Sequence, residues 1–354
     1  MNAMMTIQTP LSISTGAGTC ELACFLRDTP GSTPFHSEAW GRAIEQGCGH
    51  RWHMLVARDA AGALVGVLPL HHVRSRLFGS ALISSGFAVD GGILVRDARA
   101  IAPLADAGLA LARELGLGSV ELRGGALPEG EGWSVDRDSH LGFVRPLAAE
   151  PEAELAAIPR KHRAEVRKSL ANPLEVSVGC GPDDRAAHYH VYATSVRNLG
   201  TPIFPKTLFS AVLDHFGENA NMVTVRHERQ PVASVLSLYW NGAVMPYWGG
   251  GTFAARALRA NERMYFALMD HARARGCVAF DFGRSKVGSG PAAYKKNWGF
   301  EGEPLGYARW AEAGQAVRDT NPTSGKYAMM VRMWQRLPLP LANTIGPMIA
   351  RQLG

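Results

Sequence analysis

Residues 54–70, MLVARDAAGALVGVLPL, align without a gap with residues 222–238, MVTVRHERQPVASVLSL. Met54/Met222, Arg58/Arg226, Val67/Val235, Leu68/Leu236 and Leu70/Leu238 are identical. Each stretch reads as strand, short polar turn, strand, because apolar residues alternate and β-branched residues abound. The likeness extends both ways. FHSEAWGRAIEQ from Phe35 answers FPKTLFSAVLDH from Phe204, each a short amphipathic helix. Downstream, a helix ending near Leu115 leads into SVELRG, and one ending near Arg275 leads into VAFDFG. A chain with this order of elements twice over is a duplication of one unit.

The unit is α+β: antiparallel strands, then a helix feeding a strand of the same sheet. The expected architecture is two tandem domains, each a mixed, mostly antiparallel sheet flanked by helices. In the second copy, Val232 to Trp240 and Ala243 to Trp248 flank Asn241-Gly242, the pair that favours a type I′ hairpin turn. Gly249-Gly250-Gly251 then forms a bend before a helix capped by Asn261, with Glu262 in its first turn and Gly276 after it. Leu258, Tyr265, Leu268, Met269 and Ala272 supply its apolar face. The expected divisions are an N-terminal extension (1–34), a first domain (35–150), a basic helical linker (151–173), a second domain (174–310) and a helical tail (311–354). The tail holds a helix near Lys326 to Arg336. The apolar run LPLPLANTIGPMIA follows, interrupted by Pro338, Pro340 and Pro347.

Composition narrows the class. Hydrophobic residues make up 46% and charged residues 19%, values of a soluble globular protein. A net charge of +6 is thin for duplex binding and fits an anionic ligand or surface. The cysteines (20, 24, 48, 180, 277) form no CxxC pair, so neither a disulfide framework nor a zinc site is expected. No metal-binding cluster is expected elsewhere. The N-terminus lacks a signal-peptide pattern, and no stretch reaches the roughly 18 apolar residues of a membrane span. The expected location is the cytoplasm, at the inner face of the membrane if the tail makes peripheral contact.

RKHRAEVRKSL, SVRNLGTPIFPKTLF, YWGGG, FDFGRSKVGSG and YKKNWGF together resemble FemAB-related proteins of exosortase/PEP-CTERM exopolysaccharide systems. The resemblance spans about Phe35 to Trp310 and implies two tandem GNAT-like domains of the acyl-CoA N-acyltransferase type. It implies transfer of an acyl or aminoacyl group to an amine on a cell-envelope or exopolysaccharide precursor. The donor would be acyl-CoA or aminoacyl-tRNA, which makes tRNA a further implied partner. Two features depart from the relatives. GGGTFAARALRANE lacks the Q/R-x-x-G-x-G/A spacing of acetyl-CoA-binding loops, and no long helical hairpin of the tRNA-using kind is present.

Aminolysis of an ester or thioester creates an oxyanion that a cation or N–H donors must stabilise. The resemblance assigns that role to Lys295, after Tyr294, with Lys296 beside it. Asp281, ending an apolar strand next to Arg284, is placed to steer or deprotonate the nucleophile. Strand alternation sets Val278, Phe280 and Phe282 on the opposite face. Arg284 can fork a carboxylate or phosphate, as can Arg163 and Arg167 on the basic helix. Asn198, Tyr247 and Trp248 are expected to line the cleft. Trp298 and Phe300 are expected in the core. His71 and His72 point to opposite faces of a strand, and His188 and His190 do not share a helix face. Two other functions fit the same residues: a CoA-dependent N-acyltransferase on a sugar nucleotide, and a non-catalytic FemAB-like subunit that binds an envelope precursor. Only the second copy carries YKKNWGF, so chemistry is expected there.

Overall fold

The computed structural model describes residues 10–312, 314 and 325–354. The chain forms two compact units. One takes the N-terminal residues through Gly41, His50–Asp136 and the segment beginning at Gly306; the other takes Arg42–Gly49, Arg137–Leu305 and the C-terminal helices. These limits differ from the expected ones. The segment before residue 35 supplies an edge strand of the first unit, and residues 151–173 are built into the second unit rather than linking two domains.

The first unit contains, in chain order, β1 (Ser12–Thr15), α1 (Thr19–Asp28), the start of α2 (Glu38–Cys48), β2 (Arg51–Arg58), β3 (Leu64–Val73), β4 (Ala81–Ser84) and β5 (Leu94–Val95). α3 (Ile101–Glu114), β6 (Ser119–Arg123) and β7 (Trp133–Asp136) follow. The second unit has β8 (His140–Pro146), α4 (Pro151–Ala157), α5 (Arg160–Ala171), β9 (Glu175–Gly179), α6 (Pro182–Leu199) and α7 (Lys206–Phe216). It continues through β10 (Ala220–His227), β11 (Gln230–Trp240), β12 (Ala243–Gly251), α8 (Phe253–Leu258), α9 (Ala260–Ala274), β13 (Ala279–Lys286), α10 (Gly290–Asn297) and β14 (Glu303–Pro304). β15 (Tyr307–Ala311) returns to the first unit; α11 (Gly325–Arg336) and α12 (Leu339–Ala350) complete the second.

The sheets repeat one plan. Strand order is β1-β2-β3-β4-β6-β15-β7 in the first, with β5 also on β3, and β9 at one edge through β10-β11-β12-β13-β8 to β14 in the second. Each sheet is antiparallel except where β4 meets β6 and β12 meets β13. A register shift falls between Ala57 and Arg58 in one sheet and between Val225 and Arg226 in the other, which are aligned positions of the repeat. The duplication is therefore visible in the backbone as an α+β, GNAT-like fold made twice.

Alternation along the strands sends Leu55, Leu68, Leu70 and Leu82 onto α3 in the first unit. In the second, Val223, Val235, Val244, Phe280 and Phe282 form a core with Met264, Leu268 and Met269 of α9. Ile158 and Val166, from and beside the basic helix, are fully buried there. Trp298 and Phe300 lie in the same core, whereas Val278 precedes β13 and is exposed. The Asn241-Gly242 turn has φ of 43° and 77°, as a type I′ turn requires.

The expected bend and cap are different in the structure. Gly249–Gly251 continue β12, and α8, which contains Leu258, separates the strand from α9. Arg259, left-handed at φ 55°, is the cap residue of α9, and Asn261 lies inside the first turn with its buried Oδ1 unbonded. No described helix is long and apolar enough to cross a membrane.

Candidate active site

In the second unit, β12 and β13 pair only at Ala243/Ala279 and Val244/Phe280. β12 runs on to Gly251 and β13 to Lys286 without pairing further with each other, so the two parallel strands part. An irregularity marks the departure on each strand. Tyr247 is an extra residue between Pro246 and Trp248, which pair with Ser237 and Leu236. The β13/β8 register breaks between Asp281 and Arg284, where Gly283 adopts φ +66°. Bulges bend and twist a strand locally, which accounts for the opening and places Tyr247 and Asp281–Arg284 at its border.

α10 brings Lys295 to this border. Ser289 caps the helix, its hydroxyl accepting from the Ala292 amide at 3.3 Å. Six residues later the Lys295 ammonium donates to the carbonyls of Gly283 (3.0 Å) and Arg284 (2.9 Å). The side chain is 8% exposed, with the rings of Phe143 and Phe282 at 5.2 and 5.6 Å from its nitrogen. An ammonium has three N–H donors, and the two backbone carbonyls are its only hydrogen-bond acceptors among the described residues. Burial lowers the Lys295 pKa to about 8, opposed by nearby Asp281 and assisted by Arg284. Asp281 accepts from the Gly283 amide at 2.8 Å. Burial raises its carboxyl to about 6 despite that bond and the charge of Lys295.

Asp281, Arg284 and Lys295 thus form one cluster. The other expected residues lie as follows. Lys296 is exposed, a helical step away from its neighbour. Tyr294 sits among Tyr265, His162 and Trp298, its hydroxyl 3.4 Å from Glu262. Burial raises the pKa of both groups of that pair. Trp248 packs on Phe204 and Phe209, a core position rather than a cleft wall. Asn198 is exposed on the last turn of α6, where its carbonyl accepts from Gln335 at 3.1 Å. Arg163 is half-buried and Arg167 exposed on α5.

Sequence reasoning missed Phe143, which reaches Lys295 from β8, and the Glu262–Tyr294 contact; neither has a local signal. His71 proves structural: its Nδ1 accepts from the Gly86 amide at 3.0 Å and its Nε2 lies 3.2 Å from the Gly41 carbonyl.

The first unit has the same short parallel pairing, Leu82/Val120 and Ile83/Glu121, but there the chain itself laces the opening. The Arg123 amide donates to Ser84 Oγ at 2.7 Å, and the Arg123 guanidinium to the Ala88 carbonyl at 3.0 Å. Trp40 Nε1 donates to Gly86 (3.1 Å) and the Tyr307 hydroxyl to Val89 (2.7 Å). Gly92 lies so close to Gly124 that an added Cβ would stand 2.1 Å from its carbonyl oxygen.

Residues 159–296, from the start of α5 to Lys296, match the family model described as an acetyltransferase (GNAT) domain. No curated protein matches the sequence. FemX is similar in structure, with 12% identity, a TM-score of 0.66, and coverage of 84% of this chain and 96% of that one. The C-terminal domain of a candidate lysylphosphatidylglycerol synthetase from Agrobacterium fabrum is 15% identical (TM-score 0.54; 82% and 91% covered). A tandem GNAT protein from the clavulanic acid biosynthesis pathway is 15% identical (TM-score 0.51; 87% and 100% covered). The second unit, with the Asp281–Arg284–Lys295 cluster at its parted strands, thus carries an acyltransferase domain of the GNAT type, and the first unit repeats its fold.

Proposed function

We propose that this protein transfers an activated acyl or aminoacyl group to an amine on a cell-envelope or exopolysaccharide precursor, and that Lys295 stabilises the reaction's oxyanion. The observation that carries the proposal is a buried ammonium with two N–H groups fixed by the carbonyls of Gly283 and Arg284 and a third left over. Fixing two donors aims the third. In a water-poor site, such a preset donor is worth a few kcal/mol to an oxyanion.

The amine attacks the acyl carbonyl, forming a C–N bond while the carbonyl electrons move onto oxygen beside Lys295. Asp281 takes the amine proton, and collapse of the intermediate expels the thiolate of CoA or the ribose oxygen of a tRNA, which Asp281 then reprotonates. Arg284 holds an anionic part of a substrate; Arg163 and Arg167 on α5 contribute to that hold. The GNAT description of residues 159–296 supports acyl-CoA as donor, and the likeness to FemX keeps aminoacyl donors in view. The exosortase/PEP-CTERM setting rests on the sequence motifs. The laced opening of the first unit supports a single donor site, in the second.

The test is a mass-resolved transfer assay on the purified protein. Acetyl-CoA and aminoacyl-tRNA are offered separately with amine-bearing envelope precursors, for the native chain and for Lys295→Met. Transfer that disappears in a folded Lys295→Met supports the assignment; undiminished turnover in that variant overturns it. Comparing the envelope polymer with and without the protein identifies the acyl mass that is transferred.

A further inference from the structure

The last 30 residues, Gly325 to Gly354, contain Lys326, Arg332, Arg336 and Arg351 and no aspartate or glutamate. Among the described residues, α11 is held to the end of α6 through Val331 and Gln335. Val331 lies against Gly200, where a Cβ would meet its Cγ1 at 2.4 Å. The Gln335 carbonyl accepts from Arg197 at 3.1 Å, and its side-chain amide donates to the Asn198 carbonyl. With 100° per residue, the arc opposite Val331 and Gln335 carries Met329, Met330, Met333 and Arg336, and Arg332 lies on its flank. Met329 and Met333 are 64% and 65% exposed, and Met330 beside them is 59% exposed. α12 repeats the arrangement: Ala342, Gly346 and Ala350 are buried, while Leu341 and Met348 are exposed.

We propose that this outward face seats on an anionic lipid surface. Two short helices, apolar outward and wholly cationic in their charges, have the composition of interfacial helices. Flexible thioether side chains adapt to disordered acyl chains, and each arginine near an anionic leaflet is drawn to it. The absence of acid from the segment argues for anionic headgroups over a zwitterionic surface. The proposal stands apart from the chemistry assigned to Lys295.

Flotation of the full chain with phosphatidylcholine vesicles, with and without phosphatidylglycerol, tests it. Binding is expected to the anionic vesicles alone and to weaken with salt. Met329→Ser combined with Met333→Ser should weaken it by about tenfold, as should Arg332→Glu with Arg336→Glu, at unchanged melting temperature. Native chain that stays unbound, or variants that bind as the native chain does, would overturn the proposal. So would a concentration-dependent dimer abolished by the methionine variant in the absence of vesicle binding, which would make the face a contact between copies.

Discussion

Lys295 and Asp281 are buried within electrostatic reach of one another, and burial moves both toward neutrality. The carboxyl rises to about 6 and the ammonium falls to about 8. The proposed roles need an ionised Asp281 and a protonated Lys295. kcat/KM should therefore be bell-shaped, rising through about pH 6 and falling through about pH 8. Asp281→Asn should slow turnover and remove the acid limb while keeping the alkaline one. An unchanged acid limb in that variant would assign it to another group.

The same carboxyl makes stability depend on pH. Its folded pKa lies above its ordinary value of 3.8, so the folded chain binds the proton more tightly. The contribution is full below about pH 4 and is lost as pH rises through about 6, a fall on the order of 3 kcal/mol. Glu262 and Asp270 are raised as well, so the comparison is between native chain and Asp281→Asn. Denaturant titrations from pH 4 to 7 should show a shallower decline in the variant.

Glu154 anchors α4. Its side chain is fully buried, pairs with Arg145, lies 4.0 Å from Arg273 and accepts from the Ala148 amide at 2.9 Å. Glu154→Ala strands Arg145, while Arg273 keeps Asp270, and should cost about 3 kcal/mol of unfolding free energy. A loss below about 1 kcal/mol would show that solvent reaches the arginines.

At Gly283, φ is +66° and the space around a would-be Cβ is open, so alanine meets backbone strain without a clash. Gly283→Ala should cost about 1 kcal/mol in stability. Its larger effect should be on kcat, because the carbonyl that fixes Lys295 moves with the backbone. A change confined to KM would detach Gly283 from the oxyanion site.

Calorimetric titration with a non-hydrolysable acyl-CoA analogue should give one site per chain, since the first unit's opening is laced by its own residues. Two equivalent sites would refute the role given to that lacing.

Local chemistry made much of this legible. Asn241-Gly242 specifies its turn within two residues, and the repeat fixed the order of elements before any contact was known. Asn261 has the side chain of a cap, yet the left-handed residue that halts α8 is Arg259, whose side chain gives no such sign. At the site, the identity of Lys295 came from the motif, but its burial did not. Two adjacent lysines differ by 100° of helix phase, and only the position of β13 under α10 decides that Lys295 is enclosed and Lys296 is not. Phe143 lies 152 residues before Lys295 and cannot be paired with it by spacing.

The closed opening of the first unit also bears on engineering. Its occlusion is concentrated in one contiguous loop, Ser85 to Gly92, in which Ser85 and Phe87 hold left-handed φ of 46° and 62°. A barrier made of one loop can be cut out in one step. Shortening that loop and removing the Arg123 guanidinium would unlace the first unit's opening, on a backbone whose sheet already has the required parting.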